Sequence, residues 1–419
     1  MARVVNFLKT IRNNWKKSLV GSAALAYGVN YSKDAYDTEQ MMREFCVEAA
    51  KYGDIPIPPK VQPTHMTVIL NPVAKKRKAK KLFEKYCEPL LHLAGIAITV
   101  IQTESESQAR TLVANLNTRT DAIIVAGGDG TLSDVVTGLM RKCQSNVTYV
   151  KQCPIGVLPL GQVNRVADSL LKRKEDATDA RALAEATMAI VRGNTRLLDT
   201  VEVSPIEKDP EDPVKPAYAV GAIEWGAWKD ANSRVDKYWY WGSLRRYVTY
   251  VFNGRKDDLN WNCNGVIRYS DPCDGCSRCY QEQYSFSKTQ AEKRWWHAFV
   301  PRINTAPRGS DNVDYSKVNN ENCGIYKEVP IASTELHITT NNVLLNDEES
   351  EPGVKVELGP ATVSYTDFIA EGCKRVGGKK SQGEHIIKAK NIELHPEKDD
   401  SFVSIINFHQ LPKTMSFLI

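Results

Sequence analysis

Apolar positions along residues 66–192 follow two periods in turn. Met66–Leu70, Ile96–Gln102, Ala122–Ala126 and Ile155–Leu158 are short apolar runs, the pattern of buried strands. Between and after them, Lys78–Ala94, Ser107–Leu116, Leu132–Arg141 and Ala177–Arg192 place apolar residues every three or four positions, which predicts helices. Strands alternating with helices in this way predict a doubly wound α/β domain, a parallel sheet covered on both faces. From Leu197 onward the pattern changes to short strands with turn signals, at Thr334–Thr340, Val354–Leu358, Asp367–Ala370, His385–Leu394 and Phe402–Phe408. These predict a β-rich second domain, a sandwich, interrupted by an insertion of weak periodicity at about 253–331.

Charge adds a third segment. Arg3, Lys9, Arg12, Lys16 and Lys17 precede the first acidic residue, Asp34, and Phe7, Leu8, Ile11 and Trp15 fall at helical spacing. This is the composition of an amphipathic targeting or membrane-surface segment, or else of an ordinary surface helix. The small-residue apolar stretch Leu19–Tyr31 is too short to span a bilayer unaided. The prolines of Ile55–Lys60 mark a linker, so the expected organisation is a leader at 1–59, an α/β domain at 60–196 and a β-rich domain at 197–419. A net charge of +5 over 419 residues identifies no partner. The basic run Lys75–Lys81 suits phosphate or anionic lipid as well as a solvated helix start, and nothing else suggests nucleic acid.

The chemistry concentrates in Gly127-Gly128-Asp129-Gly130-Thr131, directly after one apolar run and before a helical stretch. Glycines let a backbone approach an anion, and a following helix aims free N–H groups and its positive end at the same point. A carboxylate there repels phosphate unless a cation intervenes, and Mg²⁺ is the usual one. The alternative is a tight turn that uses glycine only for its freedom, although a turn needs neither Asp129 nor Thr131. Cys273-x-x-Cys276-x-x-Cys279, with Cys263 ten residues earlier, has the spacing of a zinc site. Cys263 or Cys323 would be the fourth ligand, and disulfides are the alternative.

Several separated motifs in order resemble the diacylglycerol kinase catalytic family, which includes sphingosine and ceramide kinases, and most closely its mitochondrial acylglycerol kinase branch. Asn71-Pro72 ends the first strand, Thr103 follows the second, and Ala109 lies in the next helix. The GGDGT loop is intact, and Pro159-Leu160-Gly161-Gln162-Val163-Asn164 is similar to the family's P-L-G-T-x-N with Gln162 in place of threonine. Trp225-Gly226-Ala227-Trp228-Lys229-Asp230 resembles the W-G-x-x-x-D stretch, and Lys237–Gly242 the aromatic segment after it. The resemblance implies a lipid kinase that uses ATP and Mg²⁺ to phosphorylate monoacylglycerol and diacylglycerol. It implies nucleotide contacts from Asn71, Thr103, Gly127, Gly128, Gly130, Thr131, Gly161 and Asn164, with Asp129 as the catalytic carboxylate. Asp230 would meet the lipid head group with Trp225 and Gly226, its alternative being a helix cap or surface charge. The aromatic stretch suits an acyl-chain or membrane surface, or a core cluster. The branch further implies the mitochondrial inner membrane facing the intermembrane space, and a second role as a subunit of the carrier-protein translocase. One departure stands out. The family's acidic motif near the C-terminus, which supplies a general base, has no counterpart, since no Asp or Glu follows Asp400.

Overall fold

In the computed structural model, the described residues are 13–56, 58, 62–105, 107–116, 119–143, 153–172, 178–205, 215–254, 263–273, 276–278, 317–340, 353–377, 383, 385–396 and 406–419. The chain forms two compact units, one of residues 1–138, 148–196 and 416–419, the other of residues 139–147 and 197–415.

The first unit is built on parallel strands β1 (His65–Leu70), β2 (Ala97–Gln102), β3 (Ala122–Gly127) and β4 (Ile155–Pro159), in the order β2-β1-β3-β4. Phe417 pairs beside Ile155 at the far edge. Val68, Leu70, Ile124 and Leu158 bury one face of this sheet against Phe83, Leu91 and Ile190 from flanking helices. The helix expected over Lys78–Ala94 is realised as an α turn (Ala79–Leu82), a π turn (Phe83–Cys87) and a second α segment (Glu88–Leu93). Asp179–Arg192 is capped at both ends, by the Thr178 hydroxyl accepting from the Arg181 N–H at 3.4 Å and by Gly193 at φ +71°.

Lys16 and Lys17 of the basic segment belong to a single helix, Trp15–Gly53, which at 39 residues is about 58 Å long. Its first half exposes Leu19, Val20, Leu25 and Tyr27. Its second half packs Phe45, Ala49 and Tyr52 onto Leu90, Ala184 and Met188. Arg192 adds an ion pair to Glu48 at 2.7 Å. No described helix is long and apolar enough to cross a membrane. Arg3, Phe7, Leu8, Lys9, Ile11 and Arg12 lie outside the described residues.

The second unit contains two antiparallel arrays. In one, β7 (Ala222–Gly226), β10 (Glu335–Thr340), β11 (Val354–Leu358) and β12 (His385–Ala389) pair in the order β12-β11-β10-β7. In the other, β13 (Asn391–Pro396) lies between β8 (Cys263–Ser270) and the start of β14 (Ile406–Leu418), and β9 (Tyr326–Ser333) flanks β8. Ile267, Ile331 and Ile392 from the second array share a core with Leu336, Ile338, Val354 and Val356 from the first, which makes the unit a sandwich. β5 (Thr195–Pro205) and β6 (Ala217–Ala219) form a further antiparallel pair.

Three expectations are corrected here. Asp367–Ala370 is not a strand but part of the helix Tyr365–Val376, whose start is fixed by the Ser364 hydroxyl accepting from the Asp367 N–H at 3.2 Å. His385–Leu394 is two strands, because the chain changes array at Lys390. The segment read as an insertion of weak periodicity contains paired strands, Cys263 opposite Ser333 through Ser270 opposite Tyr326. Of the strand expected at Phe402–Phe408, residues 402–405 lie outside the described residues.

Candidate functional site

The carboxyl ends of β1, β2, β3 and β4 bring four connections to one edge of the first unit's sheet, where open α/β sheets bind ligands. Between them lies a cleft of about 500 Å³. Asn71, Thr103, Gly128, Asp129, Gly130, Thr131 and Gly161 line it, while Gly127 and Asn164 sit behind its wall.

The helix after β3 starts at Asp129, three residues earlier than the apolar spacing suggested. Gly127 completes the strand, so only Gly128 is neither strand nor helix, and Asp129-Gly130-Thr131 form the first helical turn. The backbone amides of that turn have no partner within the helix. A Cβ built on Gly130 meets nothing within 4 Å, so the space beside this turn is open cleft.

The other two glycines serve a different purpose. A Cβ on Gly161 would stand 2.2 Å from the Gly128 Cα, and one on Gly128 would stand 2.9 Å from the Val163 carbonyl oxygen. The two connections therefore pass backbone against backbone. The Asp129 N–H donates to the Val163 carbonyl at 3.1 Å and the Leu160 N–H to the Gly127 carbonyl at 3.2 Å. Asn164, buried, closes its own loop by accepting from the Gly161 N–H at 2.9 Å and donating to the Gly161 carbonyl at 3.1 Å. Gly161→Ala is expected to destabilise the protein by about 1–3 kcal/mol through overpacking. Gly130→Ala should stabilise it by up to about 1 kcal/mol through helix propensity. Thermal unfolding of the two variants reads both signs.

Asp129 links the loops electrostatically. Its carboxylate accepts from the Arg165 N–H at 2.9 Å and the Val166 N–H at 3.4 Å, capping the short helix Arg165–Leu170 from a different element. Burial pushes the carboxyl pKa up, and those two amides together with the Arg165 charge pull it partly back. A carboxylate has about four acceptor positions, so two N–H bonds leave capacity facing the cleft. Asn71 anchors the opposite wall, donating to the Thr131 hydroxyl at 3.3 Å and accepting from the Val73 N–H at 3.1 Å. Thr103 is buried and its N–H donates to the Leu70 carbonyl. Of the basic run, the Lys75 ammonium binds Asp179 at 2.9 Å, and Lys75, Lys76 and Arg77 all have φ between 52° and 65°.

Sequence reasoning passed over Asp134, a second carboxylate on the cleft, held by Arg110 at 2.8 Å. It lies five residues beyond Asp129 in the same helix, a position that no motif marks. Gln162, the departure from the family's threonine, is exposed on the cleft rim.

The expected lipid-side residues lie in the second unit. Trp225 is on β7 opposite Leu336 and packs against the sandwich core. Gly226 has φ +135°, and a Cβ there would stand 2.5 Å from the Thr334 carbonyl oxygen, so the turn requires glycine. Asp230 is exposed in the helix Ala227–Ser233. Trp228, two residues before it, is buried, stacked on Phe368 at 5.4 Å and hydrogen-bonded through its indole N–H to the Phe368 carbonyl. Trp239, Tyr240 and Trp241 are exposed, on a 3₁₀ segment spanning Val235–Leu244. Of the cysteines, Cys273 and Cys276 come together with Cys323; Cys263 opens β8, and Cys279 lies outside the described residues.

Residues 65–203 match the diacylglycerol kinase catalytic domain, and residues 220–410 match the acylglycerol kinase C-terminal region. The chain is 34% identical to mitochondrial acylglycerol kinase of Mus musculus over 402 residues, 95% of this chain and 90% of that one. It is 34% identical to the Homo sapiens protein of the same name, over 93% of this chain and 88% of that one. Among solved structures, a putative diacylglycerol kinase from Bacillus anthracis superposes with a TM-score of 0.50 at 14% identity, covering 86% of this chain and 98% of that one, which shows a shared fold.

Proposed function

Because this chain belongs to the acylglycerol kinase family of lipid kinases, we propose that it transfers the γ-phosphoryl group of ATP to the free hydroxyl of monoacylglycerol and diacylglycerol. The products are lysophosphatidic and phosphatidic acid. The observation that carries this reading is the cleft at the strand ends, where the first turn Asp129-Gly130-Thr131 lines open space beside Gly130 with a half-buried carboxylate.

The residues fit a nucleotide triphosphate with Mg²⁺. The Gly130 and Thr131 amides at the start of the Asp129–Lys142 helix would bind phosphate oxygens, helped by the positive end of the helix. Gly130 leaves room for a phosphate that any side chain would narrow. Asp129 and Asp134 are hard oxygen donors suited to Mg²⁺, which supplies neutralisation of phosphate charge when bound. Asn71 and Thr131 brace each other across the cleft mouth, and the close Gly128–Gly161 approach holds the two loops together. Asp230, exposed on its helix, is available to the head group of the acceptor lipid.

A membrane supplies such an acceptor, and the second unit offers a surface for it. Trp239, Tyr240, Trp241, Leu244 and Tyr247 are exposed within a few turns of one another, beside Lys237 and Arg246. Aromatic rings with adjacent cations suit the interface of an anionic bilayer. Replacing both Trp239 and Trp241 by serine is expected to weaken co-sedimentation with phosphatidylcholine–phosphatidylserine vesicles by at least about tenfold, since each ring buries apolar area on contact. The membrane we propose is the mitochondrial inner membrane, with the kinase on the intermembrane-space side, as protease protection of isolated mitochondria would test.

Transfer of labelled γ-phosphate to monoacylglycerol, diacylglycerol, ceramide and sphingosine in mixed micelles tests the reaction. Labelling of the two acylglycerols supports the reading, and labelling of neither overturns it. The absence of any Asp or Glu after Asp400 favours one second reading, a subunit of the carrier translocase that binds nucleotide with little turnover. Nucleotide-independent co-purification with the translocase, together with unlabelled lipid, would select it.

A further inference from the structure

Three thiols meet in the second unit, outside the kinase cleft. β8 and β9 run antiparallel with Ser270 opposite Tyr326, so the chain leaving β8 and the chain entering β9 emerge side by side. Cys273 and Cys276 lie on the first, Cys323 on the second, and their sulfur atoms all lie within 4.8 Å of one another. Cys276 and Cys323 are buried and Cys273 is half-buried. All three are thiols in the structure.

Hydrogen-bond donors surround these thiols. The Asn320 side-chain N–H donates to the Cys273 sulfur at 3.4 Å. The Arg278 guanidinium lies at the cluster, donating to the Cys323 carbonyl at 3.2 Å. Asn320 also folds the turn that presents Cys323: its carbonyl accepts from the Cys323 N–H at 3.2 Å and its side-chain oxygen from the Asn322 N–H at 3.1 Å. Gly324, at φ +83°, turns the chain away directly after the thiol. A disulfide would join only two of the three sulfurs, at about 2.0 Å. A tetrahedral zinc ion with bonds of about 2.3 Å sets its sulfurs about 3.8 Å apart and engages all three.

We propose that Cys273, Cys276 and Cys323 bind a structural zinc ion, with Asn320 as the donor that orients Cys273. Soft sulfur ligands select zinc over the hard Mg²⁺ of the cleft. On binding, Zn²⁺ displaces the three thiol protons to solvent and each sulfur gains a metal bond. The ion closes the base of the excursion between β8 and β9, tying Cys276 to Cys323 and adding to the Ser277 N–H bond to the Val318 carbonyl at 3.0 Å and the Arg278 bond to the Cys323 carbonyl. Of the two cysteines that the sequence offered as a further ligand, Cys323 joins the cluster from the far side of that excursion, and Cys263 opens β8.

The test uses the full chain purified from zinc-supplemented cells without added chelator. Elemental analysis is expected to find one zinc per chain, released by a thiol-directed mercurial and retained in the Cys46→Ser control. Asn320→Ala keeps all three thiols and should lose zinc to a competing chelator 10- to 100-fold more readily. Cys323→Ser should lose it outright; should that variant not fold, alkylation of the wild-type protein decides, with Cys273, Cys276 and Cys323 protected until the metal is removed. Wild-type protein without zinc, equal alkylation before and after chelation, or a Cys273–Cys276 disulfide in the peptide map would overturn the proposal.

Discussion

Asp129→Asn is expected to fold normally and to lose about 10²- to 10³-fold in phosphoryl transfer, the scale set by removing one preorganised electrostatic group from a reacting phosphate site. The geometry separates the two outcomes. An asparagine side-chain oxygen still accepts from the Arg165 N–H, so the cap on Arg165–Leu170 survives in part. What disappears is the anionic charge beside the open space at Gly130, and with it the hard ligand for Mg²⁺. Stability moves the opposite way, with a defined pH dependence. Burial raises the folded-state pKa of Asp129 above its unfolded value. That carboxyl therefore contributes stability below the unfolded pKa of about 3.9 and loses the contribution as pH rises through the folded pKa. At pH 7 the wild type holds a carboxylate that the fold disfavours, and the asparagine variant does not. Thermal unfolding without nucleotide should show Asp129→Asn more stable than wild type at pH 7, with the gap closing toward pH 4. A variant that keeps its transfer rate, or one that melts earlier at pH 7, would remove Asp129 from the role assigned to it.

The cap that Asp129 places on Arg165–Leu170 was not legible in the sequence, although the importance of Asp129 was. The apolar runs at Met66–Leu70, Ala122–Ala126 and Ile155–Leu158 marked the parallel strands because a sheet buried on both faces needs continuous apolar residues. Periodicity located the helix after β3 only from Leu132, since Asp129-Gly130-Thr131 contributes no apolar residue to the core-facing stripe. Glycine's role at Gly128 and Gly161 depends on two loops thirty residues apart meeting in space, which no local pattern encodes. In the second unit, Asp367-Phe368-Ile369-Ala370 looked like a strand because a four-residue window cannot distinguish the periods; the Ser364 cap was the missed signal. The change of array at Lys390 follows from long-range pairing, and Asp134 has no motif at all. Cys spacing offered both Cys263 and Cys323 as partners of Cys273 and could not choose between them, because the register of β8 on β9 is what brings Cys323 there.

Arg375→Ala is expected to destabilise the protein by about 3–5 kcal/mol, the cost of breaking a buried ion pair from one side. The guanidinium donates to both carboxylate oxygens of Glu335, at 2.8 and 2.6 Å, and to Glu371 at 2.9 Å. It also lies over the Trp228 ring, 4.5 Å from the centroid. All three charged side chains are below a fifth exposed, at 18%, 12% and 12%. From its own helix, Tyr365–Val376, where Glu371 is its i,i+4 partner, this one residue reaches β10 through Glu335 and the helix Ala227–Ser233 through Trp228. Truncation strips two poorly hydrated carboxylates of their shared cation and leaves them close together, so like-charge repulsion adds to desolvation. Arg375→Lys should recover only part of the loss, because an ammonium cannot reproduce the bidentate fork or the stacking. Combining Arg375→Met with Glu335→Gln and Glu371→Gln should recover more than lysine does, since the triple change removes the charges whose burial is costly. Urea unfolding of the four proteins sets the order: wild type and the triple variant above lysine, and alanine lowest. If alanine loses under about 1 kcal/mol, the pair behaves as a solvent-screened surface bridge, and the second unit is held together by its apolar core without help from Arg375.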